Sequence, residues 1–112
     1  MADACLFCKI VAGEIPATKV YEDDDTLAFA DLNPQAPVHV LVVPKGHFAD
    51  IVELSRDAAA GGALLKAIRE TAETSGLREF RTVFNTGEAA GQTVFHVHAH
   101  VLGGRRMEWP PG

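Results

Sequence analysis

Gly91-Gln92-Thr93-Val94-Phe95-His96-Val97-His98-Ala99-His100-Val101-Leu102 sets three histidines at alternate positions, with Val97, Ala99 and Val101 beside them. That alternation is the pattern of a strand with one face turned to a core. On this reading residues 94–102 form the last and longest strand. Its imidazoles share one face, roughly 7 Å apart, and its other face is apolar. Three histidines in register are poor core material, because each buried ring needs hydrogen-bond partners. Two chemistries suit them. His-x-His on a strand can share a metal ion, but such sites need further ligands, and Val101-Leu102-Gly103-Gly104 supplies none. The alternative is a nucleophilic imidazole, neutral near pH 7, that carries a covalent intermediate.

The segment just upstream favours the nucleophile. Asn85-Thr86-Gly87-Glu88-Ala89-Ala90-Gly91-Gln92-Thr93 is a loop of small residues ending beside the histidines. Gly91 lets a backbone N–H approach an anion closely, while Asn85 and Thr93 add neutral donors. Loop and histidines together read as a site for phosphoryl or nucleotidyl transfer.

The rest of the chain builds a sheet around that strand. Residues 5–11 read as one or two helical turns, stopped by Gly13 and Pro16. Residues 20–22 and 27–31 read as strands across a solvated acidic turn, Asp23-Asp24-Asp25. Asn33-Pro34-Gln35-Ala36-Pro37 is a loop, because proline excludes regular structure there. Residues 38–43 are a β-branched strand ended by Pro44, and residues 81–85 are another. Between them Ser55 reads as an N-cap and Gly76 as the residue just past a helix end. Leu64, Leu65, Ile68 and Ala72 are assigned to the apolar face of that helix, with Lys66, Arg69, Glu70 and Glu73 opposite. Gly61-Gly62 inside it implies close packing on the sheet. The fold expected is one α+β domain over residues 1–112, an antiparallel sheet of about five strands with one main helix and a short N-terminal one.

Composition narrows the class further. The 112 residues are 47% hydrophobic and 22% charged, ordinary globular proportions. No apolar run is long enough to span a bilayer, and Met1-Ala2-Asp3-Ala4 has no secretory pattern, so a cytoplasmic protein is expected. The net charge of −5 lacks the footprint of a nucleic-acid binder. Cys5 and Cys8 are too few and too close for a disulfide framework. They read as half a metal site, a redox pair or two idle thiols.

Residues 91–102 resemble the signature of the histidine triad family of nucleotide-binding proteins, and the likeness runs from Cys5 to Gly112. Asp31-Leu-Asn-Pro-Gln-Ala-Pro, Val-Pro-Lys45, Leu102-Gly-Gly-Arg105 and Trp109-Pro-Pro-Gly resemble its phosphoramidase branch. The dinucleoside polyphosphate hydrolase branch usually has proline and arginine directly after the histidines; this chain has Gly103-Gly104-Arg105.

That resemblance implies a homodimer whose two sheets join into one, hydrolysing the P–N bond of purine nucleoside 5′-phosphoramidates. His98 is then the nucleophile, His100 a donor to phosphate oxygens, and His39 a proton relay behind them. Asn85, Gly91 and Thr93 hold phosphate, with Thr93 standing where serine is common. Asp31 accepts the ribose hydroxyls, and Leu6, Phe7, Ile10, Phe29, Leu32 and Leu41 line the base pocket. Trp109 reaches the partner protomer's site. Cys5, Cys8, His47 and His96 are the implied ligands of a structural zinc, and the chemical step itself needs no cofactor. Hydrolysis of other nucleotide esters, or a nucleotide-binding scaffold, are the competing functions; an intact His98 favours an enzyme.

Overall fold

The computed structural model describes residues 4–112; the reading of the first three residues lies outside them. In chain order the elements are α1 (Leu6–Val11), β1 (Lys19–Glu22), β2 (Thr26–Ala30), β3 (Val38–Pro44), α2 (Ile51–Leu54), α3 (Ala58–Thr74), β4 (Phe80–Val83) and β5 (Ala99–Gly103). A 3-10 turn spans Glu88–Ala90. The strands form one antiparallel sheet in the order β1-β2-β3-β5-β4. The α+β class and the five-stranded sheet agree with the sequence reading; α2 is an added turn of helix.

β3 lies at the centre of the sheet and is buried on both faces. Val40 and Val42 join Ala28, Ala99 and Val101 under α3. Leu41 and Val43 join Leu27 and Phe29 under Phe7 and Ile10 of α1. Period two thus divides the strand between two cores, and His39 falls on the α1 face with Leu41. That face carries the chemistry.

α3 presents Leu64, Ala67, Ile68, Thr71 and Ala72 to the sheet, the i, i+3, i+4, i+7, i+8 pattern of a core-facing helix. Leu65, expected on that face, is 65% exposed, because a helix turns about 100° per residue and carries it off the stripe. Asp57 caps this helix in place of Ser55: its carboxylate accepts the Ala60 N–H at 3.0 Å, and Ser55 closes α2. At the other end Gly76 takes φ +73°. The N–H groups of Gly76 and Leu77 donate to the carbonyls of Glu73 and Ala72, closing the helix in a Schellman turn. The close packing expected of Gly61-Gly62 is absent; a Cβ at either would meet no atom within 4 Å.

The acidic turn is organised as well as solvated. Asp23 accepts hydrogen bonds from the N–H groups of Asp25 and Thr26 and from the hydroxyls of Thr26 and Tyr21. Partial burial opposes ionisation there, yet the Thr26 and Tyr21 hydroxyls and the turn amides outweigh it and hold the carboxyl down at about 2.

The main departure concerns the histidines. β5 begins only at Ala99, so His96 and His98 precede it, and β3 is the longest strand. The cause is Pro44. Register pairs Val42 with Ala99, so the next bonded pair along the ladder would be Pro44 with Val97. Proline has no N–H to give. The Val97 N–H turns instead to the Phe48 carbonyl at 2.6 Å, and the Pro44 carbonyl accepts from a histidine ring.

Candidate active site

Each ring of the cluster has a partner that assigns its tautomer. His98 Nδ1 lies 2.8 Å from the carbonyl of His96. A carbonyl only accepts, so Nδ1 carries the proton and Nε2 keeps its lone pair. His96 Nε2 lies 2.8 Å from the Pro44 carbonyl, which makes it the donor and frees Nδ1. His39 Nδ1 accepts the Gln35 N–H at 3.0 Å, and its Nε2 is 2.9 Å from His100 Nδ1. The rings of His98 and His100 stand 5.1 Å apart, centre to centre. Phe7 packs edge-on against His98 at 5.0 Å and also meets Phe29 and His96.

Burial keeps His98 and His100 neutral. His98 is held below its ordinary range by loss of solvent, against the carbonyl of His96 and the charge of Asp31. Burial, then His98 and His39, push His100 down to about 4, opposed by Asp31. A neutral ring with one nitrogen pinned as donor is a competent nucleophile.

Two clusters in the site resemble metal sites, and they differ chemically. Cys5, Cys8, His47 and His96 converge with their ligand atoms within 4.8 Å of one another. His96 Nδ1 is 3.3 Å from Cys5 Sγ and 3.4 Å from Cys8 Sγ, and His47 Nδ1 is 3.3 Å from Cys8 Sγ. Bonds of about 2.3 Å to sulfur and about 2.0 Å to nitrogen place tetrahedral ligand atoms at such separations. The Pro44 carbonyl behind His96 fixes the free Nδ1 toward the thiols, as ligating histidines require. The donor set fits zinc. The donor atoms of the second cluster, Asp31, His39 and His100, also converge, but their hydrogen bonding does not suit a metal. His39 Nδ1 already accepts the Gln35 N–H, so a metal on Nε2 would demand an imidazolate.

The loop before the histidines is built around Gln92, 2% exposed. Its Oε1 accepts the Gly87 N–H at 2.9 Å, while Nε2 donates to the carbonyls of Ala49 at 2.7 Å and Val94 at 3.1 Å. Gly91 ends the 3-10 turn with φ +95°, a conformation side chains resist. A Cβ there would lie 3.8 Å from the Asn85 amide, so the two residues adjoin. Thr93 is exposed on the same loop.

Of the residues expected around a base, Phe7, Ile10, Phe29 and Leu41 form one buried cluster with Cys5, Leu27 and Val43. Leu6 stands 44% exposed, and Leu32 and Trp109 stand free at 99% and 82%. Asp31 Oδ1 accepts the Asn33 N–H, and Oδ2 lies 3.3 Å from His39 Nε2. Three groups were not marked by the sequence reading: the Gln92 amide, the Gln35 N–H and the Pro44 carbonyl. The first was legible as a long amide amid small loop residues. The other two are backbone atoms, which side-chain pattern does not mark.

Comparison with known proteins fits this geometry. The model of the HIT domain matches residues 12–107. An uncharacterized HIT-like protein of Synechococcus elongatus is 52% identical over 114 residues, 100% of both chains. A 14 kDa zinc-binding protein of Zea mays is 45% identical, covering 96% of this chain and 87% of the relative. The crystal structure of a HIT family hydrolase from Legionella pneumophila superposes with a TM-score of 0.91 at 50% identity, covering 96% of this chain and 99% of that one. The chain belongs to the HIT domain family.

Proposed function

We propose that this protein is a purine nucleoside phosphoramidase, which cleaves P–N bonds of nucleoside 5′-phosphoramidates through a nucleotidyl-His98 intermediate. The observation that carries it is the His98–His96 hydrogen bond, which fixes the proton on Nδ1 and leaves Nε2 with a free lone pair. Nε2 attacks phosphorus, the P–N electron pair goes to nitrogen, and the amine leaves with one added proton. Water then forms the new P–O bond and returns the electron pair to Nε2. His100, the Thr93 hydroxyl, the Gly91 N–H and Asn85 meet the charge on the phosphate oxygens. Asp31 accepts the ribose hydroxyls, and the apolar cluster of Phe7, Ile10, Phe29 and Leu41 backs the base, with Leu32 closing over it. The name of the Legionella relative as a hydrolase supports the reaction class.

Cys5, Cys8, His47 and His96 would hold zinc, which there ties α1 to the histidine segment and takes no part at phosphorus; the maize relative's name supports this. The free sheet edges and the exposed Trp109 favour a homodimer with one continuous sheet and Trp109 against the partner's leaving-group side. Adenosine 5′-phosphoramidate turnover, read beside AMP affinity, tests the reading. His98→Ala should abolish turnover and leave AMP binding within a few-fold. Near-normal turnover by that variant, or rapid-quench reactions without a nucleotidyl-histidine adduct, would overturn it.

A further inference from the structure

We infer that His39 is a positioning residue that locks the tautomer of His100, and that no proton reaches the leaving group through it. This rests on the phosphoramidase reading for its consequence, though not for its geometry. His39 is 7% exposed on β3, opposite Leu102 of β5. Its Nδ1 accepts the Gln35 N–H at 3.0 Å. A peptide N–H neither accepts a proton nor gives one up. Protonating Nδ1 would therefore set two hydrogens against each other across that distance. The ring's one proton sits on Nε2, which faces two acceptors, His100 Nδ1 at 2.9 Å and Asp31 Oδ2 at 3.3 Å.

A relay fails on its own accounting. If His100 gave its Nε2 proton to the leaving nitrogen and drew the His39 proton onto Nδ1, His39 would become an anion. That anion would sit beside the Asp31 carboxylate, with nothing behind it to restore the proton. The lock works without any such transfer. With Nδ1 of His100 held as an acceptor, its proton is confined to Nε2, where it serves as a fixed donor to the phosphate. The nitrogen leaving phosphorus then takes its proton from water, as the His98 Nε2–P bond forms and the P–N bond breaks.

Two motifs outside the histidine segment support the lock. The Gln35 N–H lies in Asn33-Pro34-Gln35-Ala36-Pro37, where the prolines at 34 and 37 restrict the chain. The Gln35 carbonyl accepts from Arg105 twice, through Nε at 3.2 Å and through a terminal nitrogen at 3.1 Å. Arg105, just past β5, thus steadies the residue whose N–H sets His39. The hydrogen-bond series runs from Arg105 through Gln35 and His39 to His100.

Long-range proton–nitrogen NMR of the imidazoles tests this in the wild-type protein without substrate. The lock requires protonated Nε2 and bare Nδ1 in both His39 and His100. A proton on Nδ1 of His39 overturns it, whatever the substrate proves to be. Turnover supplies the second arm. His39→Gln keeps an N–H toward His100 but cannot shuttle a proton between two ring nitrogens; His39→Leu has neither. His39→Leu should slow adenosine 5′-phosphoramidate turnover about tenfold, the scale on which outer hydrogen-bond partners act, and mix the His100 tautomers. His39→Gln should restore most of the rate and the single tautomer. If His39→Gln is as slow as His39→Leu while His100 keeps its tautomer, His39 carries protons and the lock is wrong.

Discussion

Gln92 shows how one side chain can hold a loop of mostly small residues. Its amide satisfies one backbone donor and two backbone acceptors in a buried setting. Removing it leaves those groups unpaired, at a cost of about 1–3 kcal/mol. Gln92→Ala should lower the urea midpoint accordingly and weaken AMP binding, both readable by titration. His100 gives a second test at this scale. Its ordinary value of 6.5 falls to about 4 on folding. Between those values the unfolded chain takes a proton that the folded ring refuses. Stability from this group is therefore full above about pH 6.5, drops as the pH falls and is lost by about pH 4. Urea midpoints across that range should fall steeply in the wild type and less steeply in His100→Gln. The identities of the site residues were legible because their chemistry is carried by side chains. Their tautomers were not, since these depend on carbonyls and amides that only the fold brings near.

At the scale of elements, α3 carries a cost with no visible return. Gly61 and Gly62 face open space, so alanine at either position meets no clash and gains helix propensity. Gly61→Ala and Gly62→Ala should each raise stability by about 0.5–1 kcal/mol, seen as a higher thermal midpoint; a loss would mean that something covers this face. The strands read at residues 20–22, 27–31, 38–43 and 81–85 agree with the fold to within about two residues at each end. The histidine strand was read too long because alternation describes side chains, whereas a strand also needs a bonded neighbour. Val97 and His98 alternate correctly, but the ladder with β3 ends at Val42 and Ala99, short of Pro44. Leu65 was misplaced for a simpler reason: it is apolar, and apolar residues also occur on exposed faces.

Over the whole molecule, α1 covers one face of the sheet and α3 the other, and the histidines sit on the α1 side. The sheet and its two helices were legible in the sequence, whereas the face that each helix covers was not. The residue pattern alone made Cys5 and Cys8 half a site; the family resemblance named His47 and His96 as the other half, and the fold brings them together across 91 positions for Cys5 and His96. Protein purified without chelator should contain about one zinc per chain by elemental analysis. Cys5→Ser should lose that metal and with it the stability that metal binding supplies, while retaining measurable turnover at low temperature. Metal-free wild-type protein of unchanged stability would refute the zinc assignment. Pro44 has one further consequence for the assembly of the sheet. β3 and β5 close like a zipper from Val38 and Gly103 toward Val42 and Ala99, and proline is the stop at the end of its track. An ordinary residue at position 44 would let the teeth engage one pair further, drawing Val97 away from Phe48 and taking the Pro44 carbonyl from His96. The sheet would gain a rung, and the His96 ring would lose the carbonyl that aims its Nδ1 at the thiols.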